Sequence, residues 1–123
     1  MKKIMYSIKS DLTKNILYIT LEGFLSDEIV KTAADLTINE INKLKPGFSI
    51  INDISSFKPA TAKGAEEIKR AQVYASAKGV SRIIRVVKQS HLGAMQFSRT
   101  AKDAGYDNEI ASSVEEAERM LNG

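Results

Sequence analysis

The stretch Phe48-Ser49-Ile50-Ile51-Asn52-Asp53 decides the fold, because a short apolar run closed by polar residues reads as a buried strand with a helix leading into it. Upstream, Val30, Ala33 or Ala34, Thr37, Ile41 and Leu44 recur at three- and four-residue spacings, and Pro46-Gly47 supplies the stop. Ser26, followed by Asp27 and Glu28, offers an N-cap with carboxylates against the positive end of the helix dipole. Gly23 ends the strand before that helix. Further back, Ile4, Tyr6 and Ile8 share one parity, and Leu17, Ile19 and Leu21 share another run of it. The polar turn Asp11 to Asn15 joins the two runs, so they read as an antiparallel hairpin.

Downstream, the loop from Ile54 to Pro59 leads to a second helix over Thr61 to Lys78, with Ala65, Ile68, Ala71 and Ala75 on one stripe and Gly79 as its cap. Val80 to Val87 reads as a buried strand. Ser90 is placed to cap a third helix ending at Ala104 and Gly105, and a short strand is expected near Glu109 to Ala111. Ser113 and Glu116 match a capping box, which starts a last helix at Val114 that runs to about Leu121. The order β-β-α-β-α-β-α-β-α predicts an α/β domain: a mixed, mostly parallel five-stranded sheet with about four helices. No internal repeat or low-complexity linker divides the 123 residues, so one domain over 1–123 is expected.

Composition narrows the chemistry. The chain has no Cys and one His, which removes disulfides, thiolate nucleophiles and Cys-ligated metal, and no metal or cofactor is expected. His91 sits directly beside Ser90, a poor geometry for a nucleophile and its base. No Gly-x-Ser-x-Gly, Gly-x-Gly-x-x-Gly or Gly-Lys-Ser/Thr pattern occurs. Glu66-Glu67 and Glu115-Glu116 read as solvated helix surface, with Glu66 and Arg70 as an i,i+4 ion pair. No catalytic residue is assigned, and an enzyme is not expected.

Charge is unevenly distributed. Lys58 to Lys102 carries ten basic residues and two acidic ones, whereas from Asp107 onward five carboxylates face Arg119 alone. The basic segment lacks interleaved aromatics, so nucleic acid is not the expected partner. Charges also interrupt every apolar stretch short of the roughly 20 residues a membrane span needs. With Ser7 and Lys9 breaking the N-terminal apolar run, a cytoplasmic location is expected.

Arg85 stands inside the apolar strand Ile83-Ile84-Arg85-Val86-Val87. If helices cover the face of Ile84 and Val86, then Ile83, Arg85 and Val87 form a mixed apolar and basic patch suited to a second copy of the chain, a homodimer. The other reading packs the Arg stem on the sheet and sends its head to water or a carboxylate.

Asp53-Ile54-Ser55 at the end of the third strand, Gly64 eleven residues beyond Asp53, and the order of elements together resemble the STAS domains, the anti-sigma factor antagonist (SpoIIAA-like) family. That family's third strand ends in Asp-Leu-Ser, and a following Asp-Ser-Ser-Gly carries the regulatory phosphoserine. In the ungapped match Thr61 falls on the Asp, Ala62 on the phosphorylated Ser and Lys63 on the second Ser. Ala62 has no hydroxyl, so the resemblance implies a regulatory protein-interaction module without the usual switch. Its partner-binding surface would comprise Asp53, Ser55, Ser56, Phe57, Thr61, Lys63 and Gly64. Ser55, Ser56 and Thr61 could carry a phosphate or serve as caps and turn formers. The same loop also suits a small ligand or lipid, with an anion near Thr61 and Lys63 and Phe57 as an apolar neighbour; Phe57 reads equally as a core plug.

Overall fold

The computed structural model describes residues 6–58, 60–87 and 109–122. Within them the chain forms β1 (Tyr6–Asp11), β2 (Ile16–Gly23), α1 (Asp27–Ile41), β3 (Ser49–Phe57), α2 (Ala62–Ala77), β4 (Arg82–Val86), β5 (Glu109–Ala111) and α3 (Val114–Asn122). The helix expected from Ser90 to Ala104, with His91, lies outside the described residues, as does Ile4 at the start of the first strand.

The five strands form one mixed sheet in sequence order, β1-β2-β3-β4-β5. β1 and β2 pair antiparallel, with Tyr6 opposite Leu21 and Ile8 opposite Ile19. The pairings of β2 with β3, β3 with β4, and β4 with β5 are parallel. Asn15 makes the hairpin turn at φ 58° and its side chain then anchors the loop after α1: Nδ2 donates to the Lys45 carbonyl at 3.1 Å and Oδ1 accepts from the Lys45 amide at 3.0 Å.

Local chemistry starts and stops the helices. Ser26 Oγ accepts from the Ile29 amide at 3.3 Å, and Asp27 and Glu28 occupy the first turn of α1. α1 ends at Ile41, ahead of Pro46-Gly47, because the chain tightens there: the Lys43 amide donates to Glu40 and the Leu44 amide to Ile41, which still delivers Leu44 to the core. α2 is capped by Thr61, whose Oγ1 accepts from the Gly64 amide at 3.1 Å. Past its other end Gly79 adopts φ 91°, and its carbonyl accepts from the Gly47 amide at 2.7 Å. At α3, Ser113 Oγ accepts from the Glu116 amide at 3.0 Å, but the Glu116 carboxylate takes the Ser112 hydroxyl at 2.6 Å, so the box is not closed reciprocally. The expected Glu66–Arg70 pair is also replaced: Arg70 reaches Glu67 and Asp35, both at 2.7 Å, and thereby ties α2 to α1.

The sheet is covered on both faces. Leu17, Ile19, Ile50, Ile54 and Ile83 face α1 and α2 in the larger core, while Ile16, Ile51, Ile84, Val86 and Ala111 face α3 across Ala117 in the smaller one. Full burial of a side chain the size of Leu17, Ile51 or Ile84 is worth about 1.5–3 kcal/mol. Side-chain bonds secure α3 and β5: Tyr18 donates to Glu118 at 2.8 Å and Arg82 Nη1 to the Met120 carbonyl at 2.8 Å, both on α3, while Arg82 also holds Glu109 of β5 at 2.6 Å.

This layering corrects the reading of β4. α1 and α2 cover the face of Ile83 and Arg85, and α3 covers the face of Ile84 and Val86, so no exposed patch exists there. Ile83 is buried, Arg85 has 0% exposure and Val87 is half-buried against the larger core.

Candidate functional site

The segment from Asp53 to Gly64 is brought to one end of the sheet, and most of its side chains serve the fold. Thr20 lies opposite Asp53 while Glu22 lies opposite Ser56, so β3 carries one extra residue there, a β-bulge. The Asp53 carboxylate holds it, accepting from the Ser55 amide at 3.1 Å and from the Ser55 hydroxyl at 2.6 Å. Side chains alternate along a strand, so the extra residue puts Phe57 on the same face as Ile54. Both are completely buried in the larger core, and Phe57 is thus a core plug rather than a ligand neighbour.

Thr61 donates its hydroxyl to Asp27 while capping α2. Lys63 is exposed on a shallow groove shared with Asp27, Glu28, Lys31, Glu66 and Glu67, where carboxylates outnumber ammonium groups and an anion is disfavoured. Gly64 is buried: a Cβ there would come within 3.0 Å of Ala60 Cβ and 3.6 Å of Val30 Cγ2, so the missing side chain lets α2 approach α1. Ser56 alone of the segment's hydroxyl-bearing strand residues is exposed.

A different set of residues converges inside the molecule. Ile19, Asn52 and Arg85 are register partners on β2, β3 and β4, forming one row across the middle of the sheet on the α1–α2 face. The rows above and below are apolar, as in Leu17–Ile50–Ile83. Over the polar row α2 places Gln72, and the helices present small residues, Ala33 and Ala34 from α1 with Ala71 and Ala75 from α2. Short side chains facing a flat sheet leave unfilled space, here a cavity of about 60 Å³ bounded also by Ile50, Ile68 and Ile83.

The polar groups in this wall are unusual for a core. Asn52 is 6% exposed and Gln72 8% exposed, and the side-chain oxygens Asn52 Oδ1 and Gln72 Oε1 accept no hydrogen bond from the described residues. Buried polar atoms are normally satisfied, and leaving one bare costs about 1–3 kcal/mol. Thr37, also on the wall, shows the ordinary solution, donating to the Ala33 carbonyl at 2.8 Å. Arg85 brings a permanent positive charge to the same row. The arrangement is a largely apolar chamber lined by polar residues from both layers, Asn52 and Arg85 from the sheet and Gln72 from α2.

Asn52 and Gln72 were not among the residues expected from sequence. Their signal was parity: Asn52 shares the inward face of Ile50, and Gln72 follows Ile68 by one turn on the buried stripe of α2.

The shifted titrations lie around the frame rather than in the cavity. Burial, then the hydrogen bond to Glu118, pushes the Tyr18 phenol up to about 12. The Arg82 guanidinium holds Glu109 below the ordinary carboxylate value, and Lys43 does the same to Glu40. Among the described residues no group of three or more His, Cys, Asp or Glu could hold a metal ion, and no helix is long and apolar enough to cross a membrane. In comparisons with known proteins, no family model and no curated sequence matches the chain.

Proposed function

We propose that this protein is a binding module rather than an enzyme, and that its ligand is a small amphipathic molecule held between the sheet and the α1–α2 layer. The observation that carries this reading is that Asn52 and Gln72, two residues lining an apolar cavity, have buried amide oxygens, Oδ1 and Oε1, that lack a partner among the described residues. A fold meets such a cost when a bound molecule supplies the missing hydrogen bonds. Size narrows the class. About 60 Å³ corresponds to roughly four to six water-sized positions, room for a short molecule and too little for a long acyl chain. The small-ligand reading is thereby favoured over a lipid.

Native mass spectrometry of gently purified full-length protein tests the proposal. A non-covalent adduct that vanishes on denaturation is expected, and it should be lost from Ala75→Leu, which fills the cavity from α2. A bare wild-type mass, together with no thermal shift from any short amphipathic compound, would overturn it.

One observation favours a second reading, the regulatory protein-interaction module that the STAS-like resemblance implies. Phe24 is 56% exposed, and its neighbour Gly23 accepts from the Lys58 amide at 3.0 Å, so an uncovered aromatic stands beside Ser56 and Lys58 at the strand ends. Exposed aromatics commonly anchor protein interfaces. Under this reading Phe24→Ser abolishes capture of a protein partner and leaves the adduct of the cavity unchanged.

A further inference from the structure

We infer that the cavity is a size filter whose limit is enforced from outside it, by three side-chain ties that hold α1 and α2 at a fixed spacing; the inference rests on the cavity being a binding site. Both helices make its roof, Val30, Ala33 and Ala34 from α1 with Ile68, Ala71 and Ala75 from α2. The floor is the parallel ladder of β2, β3 and β4, which yields only by breaking backbone hydrogen bonds. Lifting the helix pair off as a unit would uncover the whole larger core. Room for a larger molecule therefore comes from parting the two helices.

Parting is opposed at three levels. Where the helices start, the Thr61 hydroxyl donates to Asp27. Midway, Arg70 Nη2 donates to Asp35 at 2.7 Å, and at the far end the Tyr74 hydroxyl donates to Asn42 at 2.6 Å. None of these six residues lines the cavity, yet Val30, Ala33 and Ala34 lie between Asp27 and Asn42, and Ile68 and Ala71 between Thr61 and Tyr74. An exposed tie is weak alone, but all three resist the same motion. The limit itself follows from volume. An apolar cavity of about 150 Å³ takes a benzene ring, whereas this one has about 60 Å³. Its ligand is accordingly a compact aliphatic molecule of roughly four to six non-hydrogen atoms, and an aromatic ring is rejected.

Methyl NMR titration of the full chain, read at Ile50, Ile68 and Ile83, tests the filter with two alcohols, 2-propanol and benzyl alcohol. A site free to expand prefers benzyl alcohol, the more apolar of the two. For the wild type the expected order is the reverse: 2-propanol moves these methyls saturably, and benzyl alcohol binds roughly tenfold more weakly or not at all. Combining Asp35→Ala with Tyr74→Phe removes two ties without touching a lining residue, and it leaves Arg70 its bond to Glu67. This double variant is expected to hold 2-propanol as before and to bind benzyl alcohol at least as tightly. Equal binding of the two alcohols by the wild type would overturn the filter. Continued rejection of the ring by the double variant would do the same, and either result leaves the binding site standing. If neither alcohol binds, the adduct kept in native mass spectrometry decides: a compact aliphatic mass supports the filter, and a ring or long chain overturns it. No binding and no adduct would overturn both readings.

Discussion

Asn52 on β3 and Arg85 on β4 are register partners at the centre of the sheet, both buried and both turned toward the α1–α2 layer. A core built only for stability would place branched aliphatics at these positions, as it does at Ile50 and Ile83 one row away. Two polar residues stand side by side in that row, and the proposed function gives the Asn52 oxygen a ligand donor as its partner.

Gln72 carries the second such oxygen. Gln72→Leu removes a buried oxygen that lacks a partner among the described residues and adds apolar contact in the cavity. Urea denaturation of ligand-free protein should show a gain of about 1–2 kcal/mol. An unchanged or lower midpoint would mean that the Gln72 oxygen is already satisfied.

Asp53 holds the bulge that turns Phe57 inward. Asp53→Ala removes the acceptor for both the Ser55 amide and the Ser55 hydroxyl. The expected loss is about 1–2 kcal/mol by urea denaturation. Asp53→Asn, which keeps one acceptor oxygen, should recover much of it. If the two variants are equally stable, the carboxylate does not set the bulge.

Gly79 sits at φ 91°, where an L side chain is strained, and a Cβ there would meet Pro46 Cβ at 3.3 Å. Gly79→Ala should cost about 1–2 kcal/mol, read as a lower thermal midpoint. Gly47 has the same φ but open space around it, so Gly47→Ala should cost less; the difference between the two measures the contact with Pro46.

Tyr18 makes stability fall in alkali. Its phenol is raised from 10.0 to about 12, so the unfolded chain loses this proton first as the pH rises. The contribution is complete below pH 10 and is lost as the pH climbs through about 12. Tyr18→Phe should cost about 1 kcal/mol near neutrality, through the hydrogen bond to Glu118, and should flatten the alkaline decline. Urea midpoints on either side of pH 10 check the sign. A decline as steep in Tyr18→Phe as in the wild type would assign it to other groups.

Much of the architecture was legible because its causes are local. Ser26, Thr61 and Ser113 cap helices through the backbone amide three residues on, and the alternation of Leu17, Ile19 and Leu21 marks a strand face without reference to anything distant. Local reasoning failed wherever a partner lay far off in the chain. Arg70 chose Asp35 across the helix pair, and Phe57, which the sequence left open between core plug and ligand neighbour, was turned inward by one extra residue in β3. Parity marked Asn52 and Gln72 as inward, but nothing local marked the cavity between them, since it arises where alanines of two helices meet Asn52 and Arg85 of two strands.

By itself the sequence determined which residues share a face of each helix and strand, because that follows from periods of 3.6 and 2. Which face of β4 would carry Arg85 into the core was decided only by the tertiary structure. A strand with apolar residues on both parities can bury either side equally well, and the choice is made when α1 and α2 dock on one face of the sheet and α3 closes the other.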